Sequence, residues 1–295
     1  VSGEPAHRAG VVALLGRPNA GKSSLLNRLL GEKLAIVTAK PQTTRGRLLG
    51  IVTRPGAQLL VIDTPGFLVG SRPLETAMRG AFEEAAADCD VAMLLVAPVP
   101  GFEPVHAEWI ARLAARNKPV LLVATQCDRP EAARIAWPPP DAEPVAGTLR
   151  ISARTGDGIE TLVARTVSLL PEAPAFYSAD EITDRPLRFL AAEAVREAVF
   201  ESLAQELPYR IAVEVVDFDE SDPALTRIRA NLLVERDSQK RIAIGRGGEQ
   251  IKAIGIHARR EIERLLGRQV HLALWVKIDP DWLRKPKRLR SLGYC

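Results

Sequence analysis

The eight residues Gly16-Arg17-Pro18-Asn19-Ala20-Gly21-Lys22-Ser23 narrow the folds open to this chain more than any other stretch. Their G-x4-G-K-S spacing follows an apolar run, Val11-Val12-Ala13-Leu14-Leu15, and leads into an amphipathic one, Leu25-Leu26-Asn27-Arg28-Leu29-Leu30. The loop therefore joins a strand to a helix. Glycines permit the turns that point successive N–H groups inward, and the helix N-terminus adds positive dipole, so the arrangement suits phosphate. Gly16, Asn19, Ala20, Gly21, Lys22, Ser23 and Ser24 are candidate nucleotide-binding residues. Lys22 is suited to bridge the terminal phosphates, and the Ser23 hydroxyl to hold Mg2+.

Up to about Leu170 the chain alternates apolar runs with helical patterns, as a mostly parallel sheet covered on both faces requires. Strands are expected over 11–15, 47–53, 58–62, 90–97, 119–125 and 148–151. Helices are expected near 21–30, 73–87, 104–116 and 158–170, the last capped by Asp157 and closed by Pro171. The proline-rich stretch 137–144 reads as a surface loop, because proline lacks the N–H a helix needs. Residues 171–186 hold three prolines and few core positions, and read as a linker between a first domain over 1–170 and a second over 187–295. In the second domain the periodicities run helix, strand, strand, helix, helix, strand, with a two-part helical stretch over 248–266.

A chain of 295 residues with 46% hydrophobic content supports two packed domains. It has no apolar run long enough for a membrane span, and its start, Val1-Ser2-Gly3-Glu4-Pro5, has no signal pattern, so a cytoplasmic protein is expected. Cys89, Cys127 and Cys295 are too scattered for a disulfide framework or a zinc site, and the four histidines show no ligand spacing. Residues 236–295 carry fifteen Lys/Arg against six Asp/Glu, while the net charge of the whole chain is only +4. A basic end on a near-neutral body points to a polyanionic partner.

Asp63-Thr64-Pro65-Gly66 closes the strand Leu59-Leu60-Val61-Ile62, where a second carboxylate is needed on the metal side of a phosphate site. Between the two motifs, Lys40-Pro41-Gln42-Thr43-Thr44-Arg45 offers a threonine hydroxyl for Mg2+ and an N–H for the γ-phosphate, with Thr44 favoured over Thr43. Ser23, Thr44 and Asp63 are thus the candidate metal ligands, and Lys22, Thr44 and Gly66 the candidate catalytic groups. A segment that orders with a triphosphate and relaxes after hydrolysis is a bistable switch. In the second domain Gly245-Arg246-Gly247-Gly248 precedes a helix starting Glu249-Gln250-Ile251-Lys252, and such a GxxG loop clamps about four nucleotides of a single strand. Lys240, Arg241, Arg246, Lys252 and Arg259 surround it as candidate phosphate contacts. The tail 282–290 is also basic; it can meet RNA, or an anionic membrane surface with only weak peripheral attachment.

Phosphate loop, threonine segment, D-T-P-G and Ile151-Ser152-Ala153 occur in the order found in translation-factor-type GTPases. With Glu206-Leu207-Pro208-Tyr209, Val234-Glu235-Arg236, Ile244-Gly245-Arg246-Gly247-Gly248, Ile251-Lys252-Ala253-Ile254-Gly255 and Leu292-Gly293-Tyr294, nearly the whole chain resembles the Era family of bacterial GTPases. The resemblance implies an α/β P-loop NTPase domain followed by a smaller α+β type II KH domain. It implies GTP/GDP and Mg2+ as ligands, with a monovalent cation such as K+ near Asn19. It places Ser152 and Ala153 near the base. It implies the 3′ end of small-subunit ribosomal RNA and the small ribosomal subunit as partners, with no DNA expected, and a role in 30S assembly.

One departure stands out. Such GTPases read guanine with N-K-x-D, and this chain has Thr125-Gln126-Cys127-Asp128. Asp128 can still accept two hydrogen bonds from the guanine edge, while Gln126 lacks the cation that would lie over the ring. Thr125 substitutes a hydroxyl for an amide. On these residues an RNA-binding assembly protein independent of nucleotide, or a P-loop ATPase with RNA affinity, stays open beside the GTPase. Phe67 follows D-T-P-G where many GTPases place a water-orienting glutamine, so slow hydrolysis is expected.

Overall fold

Strand β1 (Arg8–Gly16) takes the centre of a six-stranded sheet because its run Val12-Ala13-Leu14-Leu15 is buried on both faces. The computed structural model describes residues 7–38, 40, 43–67, 71–140 and 142–294. Residues 1–5, Pro41, Gln42 and Cys295, all read above, lie outside the described residues. By internal contacts the chain divides into two units. One comprises the described residues of Val1–Ala35, Thr44–Val69 and Met78–Asp184, the other those of Ile36–Thr43, Gly70–Ala77 and Arg185–Cys295.

In chain order β1 is followed by α1 (Lys22–Leu30), β2 (Leu48–Arg54), β3 (Ala57–Asp63), α2 (Pro73–Asp88), β4 (Val91–Val96), α3 (Pro104–Ala114), β5 (Val120–Ala124), β6 (Gly147–Arg150) and α4 (Ile159–Leu169). The sheet order is β2-β3-β1-β4-β5-β6, parallel throughout apart from the antiparallel β2–β3 hairpin. One face packs on Phe82, Ala85 and Ala86 of α2 and Ile110 and Leu113 of α3. Leu49 joins that core, so its neighbour Gly50 faces the other way, and there it makes room for α1: a Cβ on Gly50 would lie 2.4 Å from Leu26 Cδ1. Parallel strands deliver their C-terminal ends to one rim. The loops after β1, β3, β5 and β6 therefore meet there, which is where open α/β sheets bind ligands.

Asp157 does not cap α4. Gly158 does, at φ 73°, where a Cβ would strike the Arg150 carbonyl at 2.2 Å, and the Asp157 carboxylate instead accepts a 2.6 Å bond from the Thr155 hydroxyl. The described residues of 137–144 form neither helix nor strand. Residues 171–184 group with the first unit: Phe176 and Tyr177 N–H donate to the buried Gln58 side chain, Ile51 N–H donates to the Ile182 carbonyl, and the Thr183 hydroxyl donates to the Leu49 carbonyl.

The second unit holds α5 (Leu187–Ser202), β7 (Ala212–Asp222), β8 (Leu225–Val234), α6 (Asp237–Ile244), α7 (Glu249–Leu266), β9 (Gln269–Ile278) and α8 (Pro286–Ser291). Its sheet runs β7-β8-β9, with β7 antiparallel and β9 parallel to β8. Val195 and Val199 of α5, Ala243 of α6, and Ile254, Ala258 and Ile262 of α7 share a core with Ile228, Ala230 and Leu232 of β8. The helix pair differs from the expected two-part stretch over 248–266. The first helix, α6, ends before the glycine loop, and α7 runs unbroken for 18 residues. Gln239 starts α6 by accepting the Glu235 and Arg236 N–H groups, a side-chain cap that stands in for periodicity in so short a helix.

The basic tail is folded rather than extended. Trp282, Leu289 and Tyr294 are buried with Ala212 and Leu233, and Arg288 pairs with Glu214 at 2.8 Å and Asp279 at 2.9 Å. Among the described residues no helix is long and apolar enough to cross a membrane.

Candidate functional site

The phosphate loop owes its shape to backbone angles that few residues tolerate. Gly16 sits at φ 142° with its Cα against the Leu95 carbonyl, which a Cβ would approach to 2.5 Å; Gly21 lies at φ 88° and Asn19 at φ 62°. Ala20 is buried beneath the loop, and Ser24 continues α1, half-buried. Lys22 is 6% exposed and folds back over the loop, its ammonium donating to the Gly16 carbonyl at 3.1 Å and the Arg17 carbonyl at 2.8 Å. Two of its three N–H donors are thus committed to the cradle. Burial brings its pKa down to about 8, with the charge of Asp63 opposing the shift.

Three oxygen-bearing side chains converge beside it. Asp63 Oδ2 accepts from Ser23 Oγ at 2.7 Å and from Thr44 Oγ1 at 3.0 Å, and the two hydroxyl oxygens lie 3.2 Å apart. The other carboxylate oxygen, Asp63 Oδ1, is buried without a hydrogen-bond partner. Burial pushes the Asp63 carboxyl upward, opposed by Lys22 and by the bonds from Ser23, Thr44 and Thr64. A buried carboxylate with one oxygen unmet is costly unless a cation completes it, and an all-oxygen set fits a hard divalent ion such as Mg2+. Of the two threonines weighed, Thr44 is the one that reaches this carboxylate.

Gly66 lies so close to the phosphate loop that a Cβ would sit 2.3 Å from Pro18 N, and the next residue's N–H, on Phe67, donates to the Gly16 carbonyl at 3.1 Å. The Phe67 ring packs edge-on to Phe82 at 4.9 Å and stacks over Trp109 at 5.9 Å. It is an anchor in the helix-packed core.

At the far end of the rim, the Thr125 hydroxyl donates to the Ala20 carbonyl at 2.8 Å and the Val96 carbonyl at 3.3 Å, tying β4 and β5 to the phosphate loop. Gln126 Nε2 donates to the Asn19 carbonyl at 2.9 Å. Asp128 faces the β6 loop: Oδ1 accepts from Ser152 Oγ at 2.6 Å and Oδ2 from Arg154 Nε at 2.7 Å. These two donors hold its carboxyl below the usual carboxylate range. Ser152 is fully buried and Ala153 half-buried beside it. Sequence reasoning missed the tether of Gln126 to the loop and missed Arg154 altogether. Both are contacts between distant segments, with no local pattern to betray them.

Within the second unit, Gly245, Gly247 and Gly248 all have positive φ, at 76°, 59° and 84°. Arg246 and Gly247 are exposed, and a Cβ on Gly247 or Gly248 would meet nothing within 4 Å, so the loop backbone is open to a ligand. Lys252 and Arg259, both exposed, lie seven residues apart on one face of α7, about 10 Å along the helix. Lys240 is half-buried, and Arg241 shares its charge with Asp237 at 2.7 Å. Ile242 and Ile256, exposed by 59% and 41%, add apolar surface on α6 and α7 that the charge pattern did not announce. The described residues of 36–43 also group with this unit: Lys40 Nζ donates to the Phe200 and Leu203 carbonyls at the end of α5, and Val37 N–H donates to Glu197.

A family model described as "50S ribosome-binding GTPase" matches residues 11–126, and one described as "KH domain" matches residues 206–283. The GTPase Era of Geobacter metallireducens is 44% identical over 292 residues, spanning 97% of this chain and 98% of its own. That of Lactobacillus delbrueckii subsp. bulgaricus is 41% identical over 293 residues, spanning 98% and 96%. A crystal structure of a point variant of Aquifex aeolicus Era bound to GDP.AlF4- superposes with a TM-score of 0.89 at 35% identity, covering 98% of this chain and 99% of that one. A crystal structure of Era in complex with MgGDPNP and nucleotides 1506–1542 of 16S ribosomal RNA matches with the same TM-score of 0.89, at 36% identity and with coverages of 98% and 99%. With a shared fold in both halves and 44% identity spread over 97% of its length, this chain belongs to the GTPase Era family.

Proposed function

We propose that this chain is a guanine-nucleotide switch that binds and slowly hydrolyses GTP with Mg2+, binds the 3′ end of small-subunit ribosomal RNA through its KH unit, and assists small-subunit assembly. The observation that carries the nucleotide half is the convergence of Ser23 and Thr44 on one carboxylate oxygen of Asp63 while its other oxygen stays unpaired in the interior. Ser23, Thr44 and Asp63 would hold the metal, which when bound offsets phosphate charge. Gly16 to Ser24 hold the phosphates, and Lys22 moves its ammonium from loop carbonyls to the terminal phosphates. Asp128, backed by Ser152 and beside Ala153, reads the guanine edge, and Thr125 keeps the reading loop fixed to the phosphate loop.

In this reading Thr44 and the Gly66 backbone meet the γ-phosphate, and Lys22 stabilises the charge that develops there. No side chain at Phe67 can orient the attacking water, since that ring is committed to Phe82 and Trp109. Turnover by the purified chain is therefore expected well below about one per second. A K+ ion near Asn19 is a further element of the reading. The described residues of 36–43 group with the KH unit and Thr44 with the other, so the metal-side threonine is joined in sequence to Lys40, which donates to the Phe200 carbonyl of α5. Nucleotide state can bias RNA binding through that segment.

For RNA, Gly245, Arg246, Gly247 and Gly248 form the clamp, with Lys240, Arg241, Lys252 and Arg259 on phosphates. RNA rather than DNA is the expected polymer, the setting is cytoplasmic, and any membrane contact is electrostatic and weak. Titration of the full chain with fluorescent GDP, GTP and ATP analogues in Mg2+ tests the core of this reading. Guanine-selective binding is expected; no binding, or preference for adenine, overturns it.

A further inference from the structure

Asp128 is the one residue of the usual guanine reader that this chain retains, and the structure shows what has become of its surroundings. The Thr125 hydroxyl is spent on two backbone carbonyls, and the Gln126 amide on the Asn19 carbonyl, so neither brings positive charge to the base. The cation beside Asp128 comes instead from across the rim: Arg154 Nε donates to Oδ2 at 2.7 Å, opposite Ser152 Oγ on Oδ1 at 2.6 Å.

Two considerations argue that this pair serves the ligand and not the fold. Arg154 is 73% exposed, so water screens its charge and its truncation costs the fold little, while the carboxylate it holds is only 13% exposed. The loop that carries Arg154 is already held by its backbone, through Ser152 N–H to the Asp157 carbonyl at 3.0 Å, Gly156 N–H to the Ser152 carbonyl at 2.8 Å and Cys127 N–H to the Ile151 carbonyl at 3.1 Å. These two side-chain donors do not exhaust the acceptor capacity of the carboxylate. A carboxylate oxygen has two acceptor directions, so one side-chain donor on each oxygen is compatible with each also accepting from guanine, one from the ring N–H and the other from the exocyclic amine.

We infer that Arg154 is a specificity-determining positioning residue of the nucleotide site: it fixes the plane of the Asp128 carboxylate for two-point reading of guanine and supplies the positive charge that Gln126 lacks. The inference rests on the guanine-nucleotide reading above. It also assigns a purpose to a departure in the reader motif that looked like simple loss.

The test is calorimetric titration of the full chain and of Arg154→Ala with GDP, IDP and ADP in Mg2+, with thermal unfolding as a check on folding. IDP lacks the exocyclic amine and can engage only one carboxylate oxygen. In Arg154→Ala, GDP affinity is expected to fall about tenfold, IDP affinity to change far less, and the unfolding temperature to stay the same. Arg154→Lys, which keeps the charge and loses the planar donor, should recover only part of the GDP preference. Equal losses for GDP and IDP, or no change, overturn the inference. So does tighter GDP binding by Arg154→Ala, which would make Arg154 a plug on the carboxylate. A wild-type chain that prefers GDP no more than ADP overturns the nucleotide reading itself, which keeps the two failures apart.

Discussion

Burial lowers the Lys22 ammonium from its ordinary 10.5 to about 8. Phosphate binding needs that group charged. Below pH 8 it already is; above pH 8 the folded protein must take up a proton on binding, so GDP affinity should weaken with rising pH, by at most about tenfold per unit. Stability moves the other way. Between about pH 8 and 10.5 the unfolded chain keeps the Lys22 proton that the folded chain has lost, so this residue makes folding more favourable as pH rises, and below 8 its penalty is constant. Calorimetry with GDP from pH 7 to 9.5, beside urea unfolding of wild type and Lys22→Met, reads both trends. A GDP affinity flat across pH 8 would contradict the assignment. Asp63 shows the same physics from the acidic side, since the burial that raises its pKa is what prepares it for a cation.

At the scale of elements, the turn between α6 and α7 separates what glycine does for folding from what it does for a ligand. At Gly245 a Cβ would lie 2.7 Å from Gln250 Cβ at a positive φ, so Gly245→Ala should destabilise the KH unit by about 1–3 kcal/mol, measured by urea unfolding. At Gly247 there is open space and a left-handed φ of 59°, which aspartate tolerates at a cost of about 1–2 kcal/mol. Gly247→Asp should keep the fold yet abolish binding of a single-stranded RNA oligonucleotide by placing a carboxylate where phosphate belongs. In wild type that binding should weaken steeply with salt. Retained RNA affinity in folded Gly247→Asp would move the interface elsewhere.

The same elements show where sequence reading succeeds and fails. Strands β1, β4 and β5 were legible because a parallel strand covered on both faces is a continuous apolar run, as in Val91–Val96. Helix α6 was not, because its eight residues bury only Ala243 and show no apolar stripe. Asp157 looked like a cap by residue type, whereas the close approach of the Arg150 carbonyl, set by β6 packing, admits only Gly158.

For the molecule as a whole, the phosphate cradle and the glycine clamp belong to separate units with separate cores. Lys22→Ala should therefore abolish nucleotide binding and leave the RNA affinity of the nucleotide-free chain unchanged. Acidic replacement of Arg246 should do the reverse. Paired titrations of each variant with GDP and RNA test this, and equal damage to both activities from either change would refute two separable sites.

The sequence alone marked the glycine loop between β1 and α1, Asp63 at the end of β3, the KH order of elements and the glycine turn before α7, because each rests on local rules: backbone angles only glycine tolerates, spacing along a turn, or apolar periodicity. Tertiary structure decided which partner each side chain meets. Thr125 on the Ala20 carbonyl, Gln126 on Asn19, Arg154 on Asp128 and Lys40 on the end of α5 join segments far apart in the chain. Such pairs follow from strand order and loop path, where many closures are compatible with the same local pattern and only the packed core selects one.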